Sequence, residues 1–145
     1  MDLIRKLWEK NLKYPIGVVL VLHQVIPDNH NDMRTGLIEK DSGLYLPEEP
    51  LSEDSLASVQ VVKMANQYIS ADARWGRNSF IAFFDSLKRE TPRTIRIAYE
   101  IVVPSNVSVI DQLVWKTHYE IAASPCKIVG DHDRIFTTAF NFRGG

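Results

Sequence analysis

Asp111 is the residue best placed by its neighbours to do chemistry. On a strand it shares parity with Val109, Leu113, Trp115 and Tyr119, which sets its carboxylate in an apolar cavity. Burial raises a carboxyl pKa and makes the group a usable general acid or base. A β-bulge at Asp111-Gln112 would turn it outward instead. His118 has the opposite parity to Asp111 on a regular strand, so a dyad of the two also needs a bulge between them. His30, in Asp28-Asn29-His30-Asn31-Asp32, has oxygen and imidazole donors at alternate positions, but such polar loops usually face water. His132 lies between two aspartates that would raise its proton affinity, and Gly130-Asp131-His132-Asp133 reads first as a solvated hairpin turn. His23, inside an apolar run, reads as a hydrogen-bonded core or edge histidine. Cys126 has no neighbour that would activate its thiol. Phosphate-binding glycine loops, nucleophile elbows and paired-cysteine metal motifs are absent, so neither a cofactor nor a metal is expected.

A second kind of site is contact rather than bond-making. Trp75 and Arg77, with Tyr68 one or two helical turns upstream, are residue types that favour binding hot spots. A core tryptophan at a helix bend is the plainer alternative for Trp75.

Composition bounds what these residues can serve. The 145 residues suit one domain with a real core, and 45% hydrophobic with 24% charged residues is ordinary for a globular chain. A formal charge of -1, from 17 basic and 18 acidic residues, lacks the excess a nucleic-acid binder uses. One cysteine permits no internal disulfide. No stretch approaches the roughly 18–20 apolar residues that span a bilayer, so a soluble chain, or the soluble portion of a longer one, is expected.

The elements that would position these groups follow in order. Residues 1–14 read as an amphipathic N-terminal helix, with Leu3, Ile4, Leu7, Trp8 and Leu12 on one side. It is the one place where membrane contact is expected. Ile16 to Ile26 is a strand buried on both faces. Residues 28–54 read as a long excursion, with short extended pieces at Gly36–Glu39 and Leu44–Leu46 that pair with each other or lie over the core as a docked arm. Ser55 to Leu87 reads as a bent helical pair, capped at Ser52 or Asp54 and again at Asn78. Thr94 to Val103, Val107 to Ile121 and Ile135 to Phe142 read as a three-stranded antiparallel meander. The expectation is one domain over 1–145, of class α+β.

Thr35-Gly36 with Ile38, then Ala65-Asn66-Gln67-Tyr68-Ile69, Leu113-Val114-Trp115-Lys116-Thr117 and the closing Ile135 to Phe142 carry a resemblance. Together with the element order they resemble the cone-shaped fold of nuclear transport factor 2, and within it the periplasmic domain of the type IV secretion and conjugation scaffold. The likeness spans Ile16 to Phe142. It implies a bent helical pair on a curved antiparallel sheet and a non-enzymatic subunit working through protein partners and self-association. Tyr68, Trp75 and Arg77 would make the contacts. It implies the periplasmic face of the bacterial inner membrane; otherwise the chain would be cytoplasmic. Two alternatives stand beside it: an isomerase or dehydratase of the same fold using Asp111, and a viral or phage structural subunit.

Overall fold

A computed structural model describes residues 16–26, 29–41, 43–70, 77–85, 94–109 and 112–142. Its centre is β1 (Ile16–Ile26), in which residues 16 to 24 are all buried. Such unbroken Val/Ile/Leu runs mark a strand covered on both faces. One edge of β1 pairs in parallel with β6 (Ile95–Val103), from Ile16↔Ile95 to Gln24↔Val103. The other edge is shared by two antiparallel partners. β4 (Glu48–Pro50) takes Gly17 to Val19, and β2 (Asn29–Lys40) takes His23 to Ile26. β3 (Gly43–Tyr45) and β7 (Val114–Thr117) both pair with β2, and β5 (Arg77–Asp85) runs antiparallel along β6. The path is β3-β2-β1-β6-β5, a mixed sheet.

Alternate residues of β1 feed two cores. Ile16, Val18, Leu20 and Leu22 meet Val61, Met64 and Ala65 of α1 (Ala57–Ala65). Val19 and Val21 meet Ile121 of α2 (His118–Ala123) and Ile135, Phe136 and Ala139 of α3 (Asp131–Phe142). Helices thus cover both faces of one sheet. None of the described helices is long and apolar enough to cross a membrane.

This architecture overturns the expected cone of a bent helical pair on a curved antiparallel sheet. Between 55 and 87 the described helix is α1 alone, and residues 77–85 are strand β5. A bulge between Phe80 and Ala82 explains the misleading periodicity. It puts Phe80 and Phe83 on one face, opposite Tyr99 and Ile97, while Ile81 and Phe84 enter the other core. Three-residue spacing in a bulged strand imitates a helix.

The meander is replaced as well. Among the described residues of 107–121 the one named strand is the short β7, which pairs with β2 rather than β6. It stops where the Thr117 hydroxyl accepts from the Glu120 amide and the Glu120 carboxylate accepts from the Thr117 amide, a reciprocal cap that starts α2. Residues 131–142 form helix α3, since the spacing of Phe136 and Phe140 fits both a strand face and a helix face. The segment 28–54 is no docked arm: it supplies β2, β3 and β4. The expected N-terminal helix lies outside the described residues.

Candidate functional site

A cleft of about 420 Å³ opens on the face covered by α3. Ile38 and Lys40 come from β2, Tyr45 and Leu46 from β3 and the residue after it, Glu48 from β4, and Arg96 from β6. The fourth wall is Val129, Gly130, Asp131 and His132, at the start of α3. That start is fixed from both sides. The Leu44 amide donates to the Lys127 carbonyl and the Val129 amide to the Leu44 carbonyl, at 2.9 and 3.0 Å. Gly130, with a φ of 57°, then turns the chain where a side chain would strain it.

Four side chains knot the base of the cleft. Arg96 Nε donates to Glu48 Oε1 at 2.7 Å, and its Nη1 donates to Asp131 Oδ2 at 2.8 Å. The Leu46 amide donates to His132 Nδ1 at 3.1 Å, so a neutral His132 carries its proton on Nε2. That nitrogen donates to Glu48 Oε1 at 2.8 Å. Gly17 gives the Glu48 carboxylate its room: a Cβ there would sit 2.8 Å from Oε2. Asp131 is almost fully buried and stands in the first turn of α3, where the helix dipole favours an anion. At the rim, Lys40 Nζ lies 5.1 Å from the centre of the Tyr45 ring, which meets His132 edge-on at 6.0 Å.

Burial alone would raise the Glu48 pKa, but the hydrogen bonds from His132 and Arg96, with the guanidinium charge, hold it below the ordinary 4.5. A folded value below the unfolded one stabilises the protein above the ordinary carboxylate range, and that contribution is lost as pH falls through the folded value. Acid titration of unfolding should therefore show stability dropping as pH falls below the ordinary carboxylate range, and Glu48→Gln should flatten the drop. Parallel curves for the two proteins would assign the effect to other groups.

A second buried constellation lies on the same face. His23 Nδ1 is 2.8 Å from the Thr35 hydroxyl, and its Nε2 is 3.1 Å from Glu100 Oε2. The cavity beside it measures about 60 Å³, under the stack of His118 on Phe140 with ring centres 3.9 Å apart. That space is large enough for water and too small for a substrate.

Of the residues singled out from sequence, His132 lines the cleft, and several lie outside the described residues. Asp111 and Trp75 lie outside the described residues, as does the side chain of Arg77, whose backbone opens β5. His30 has its backbone in β2, with its side chain likewise outside the description. Tyr68 is half-buried after α1 and packs on the core of that face; burial, then the Glu49 charge, pushes its phenol pKa up. Cys126 is half-buried against the α3-side core. Neither Tyr68 nor Cys126 lines the cleft. His132, expected in a solvated turn, is instead buried and doubly bonded on the first turn of a helix. Its flanking aspartates and preceding glycine were the available signal, because acids gather in a helix's first turn. Arg96 and Glu48 had no local signal.

No family model matches the chain, and no curated protein matches it in sequence. Solved structures do match. The NUDIX domain of Shewanella oneidensis NrtR, complexed with ADP ribose, aligns over 99% of this chain and 99% of its own at 12% identity, with a TM-score of 0.66. The dihydroneopterin triphosphate pyrophosphohydrolase of E. coli covers 88% of this chain and 98% of its own, at 11% identity and a TM-score of 0.60. The C-terminal domain of mouse MUTYH, solved in complex with human PCNA, covers 90% of each chain at 9% identity and a TM-score of 0.68. Further MutT/nudix structures, from Listeria and Enterococcus, align in the same way.

These likenesses overturn the type IV secretion resemblance. The scaffold role and the isomerase or dehydratase alternative both derived from the cone and fall with it. The viral or phage subunit reading rested on the absence of any motif, and the Nudix/MutT likenesses stand against it. The chain has the fold of the Nudix/MutT structures, built around a cleft whose wall is the Arg96–Glu48–His132–Asp131 knot.

Proposed function

We propose that the cleft binds a nucleotide-type ligand, a heterocycle joined to a diphosphate. The observation that carries this is the make-up of the walls. Tyr45, Leu46, Ile38 and Val129 offer an aromatic and aliphatic surface for a ring. Glu48, whose side chain is partly exposed, presents an acceptor to a ring N–H group, and Lys40 stands at the rim as a point charge for phosphate. The volume suits one such molecule. The ADP ribose bound to the Shewanella domain supports this ligand class. Cleavage of the diphosphate is the second reading, favoured by the pyrophosphohydrolase of the same fold. The likeness to a domain solved with a protein partner extends the reading to partner binding by another surface.

Isothermal titration with ADP-ribose, ADP and adenosine tests it. Lys40→Gln should weaken ADP and ADP-ribose by about three- to tenfold, on the order of 1 kcal/mol, and leave adenosine unchanged. Phosphate release is followed in the same samples. No binding of any of the three at millimolar concentration would sink the proposal.

A further inference from the structure

Resting on the nucleotide reading, we infer that this cleft recognises its diphosphate ligand without a divalent cation, because the Arg96 guanidinium already holds the carboxylates a metal would need. Sites that cleave phosphoanhydrides commonly bind Mg²⁺ through one or two protein carboxylates together with the ligand's own phosphate oxygens. The residues in this cleft do not fit that requirement. Its carboxylates are Glu48 and Asp131, and Arg96 bonds one oxygen of each, leaving Asp131 Oδ1 buried without a hydrogen bond. Glu48 Oε1 accepts from Arg96 at 2.7 Å and from His132 at 2.8 Å, while Oε2 is packed against the bare Cα of Gly17. Asp131 Oδ2 accepts from Arg96 at 2.8 Å, and its Oδ1 lies 3.3 Å from Arg134 Nη2.

A dication entering here would have to displace a guanidinium that cannot lose its charge, and would then sit beside it. Helix α1 offers no relief. The face of α1 that meets the sheet is built from Ala57, Gln60, Val61, Met64 and Ala65, and the helix carries no acid. Among the described residues no group of three or more His, Cys, Asp or Glu is arranged to hold a metal ion.

The test compares ADP binding to the full chain in chelator and in excess Mg²⁺, with Mn²⁺ alone as a thermal-shift probe. The affinity for ADP should be no tighter in Mg²⁺ than in EDTA, and Mn²⁺ should leave the melting temperature unmoved. Arg96→Gln, which releases both carboxylates, should gain a Mn²⁺-dependent rise in melting temperature that the parent lacks. An increase of about tenfold or more in ADP affinity with Mg²⁺ would overturn the inference while leaving the nucleotide reading intact. So would Mg²⁺-dependent release of phosphate from ADP or AMP from ADP-ribose, or a Mn²⁺ shift in the parent protein. Failure of a folded Arg96→Gln to take up Mn²⁺ would refute the guanidinium as the barrier. Should that variant not fold, the chelator comparison on the parent decides. Absence of ADP binding in both conditions would remove the nucleotide reading itself, and this inference with it.

Discussion

Arg96→Gln is expected to lower the free energy of unfolding by about 3–5 kcal/mol at neutral pH, measured by urea denaturation. The reason lies in what stays behind. Arg96 is mostly buried, its side chain 13% exposed, and it is the cation shared by Glu48 and Asp131. The Asp131 side chain is 2% exposed. Removing the guanidinium leaves two carboxylates facing one another in a poorly solvated site, and an unpaired buried charge costs more than the pair contributed. The double variant Arg96→Gln/Asp131→Asn should recover part of the loss, because the second change removes the stranded charge. A single-variant loss below about 1 kcal/mol would place the pair in the class of solvated surface bridges. It would also remove the knot as the rigid wall of the cleft.

Leu20→Ala should cost about 2–5 kcal/mol by the same measurement. Leu20 is wholly buried in the middle of β1, paired with Tyr99 of β6, and belongs to the core beneath α1. β6 on one side and the Pro47 carbonyl, which accepts from the Leu20 amide at 2.9 Å, on the other fix its backbone, so the void left by the leucine cannot collapse. Val59→Ala on the outer side of α1, at 44% exposure, is the matched control and should stay within about 0.5 kcal/mol. Similar losses for the two variants would contradict the placement of β1 at the centre of the sheet.

Parts of this structure were legible in the chain. Ile16 to Ile26 has the unbroken β-branched run of a doubly covered strand, and the alternation of Thr94 to Val103 marks β6. Both signals arise from burial along a single segment, which is what periodicity records. The helix through Met64 was legible for the same reason, although its partner segment was not. At 77–85 a bulge produced helical spacing within a strand, and at 131–142 aromatic residues four apart satisfied both periods.

What only the tertiary structure decided is which strands meet and which side chains converge. Gly17, Glu48, Arg96 and Asp131 are far apart in the chain, and their encounter depends on β1 taking β6 on one edge and β4 on the other. No local pattern encodes that pairing, because it is selected by the joint burial of two cores. The sequence by itself determined where apolar surface would be hidden; the cleft and its charge knot exist only once separate segments have hidden it together.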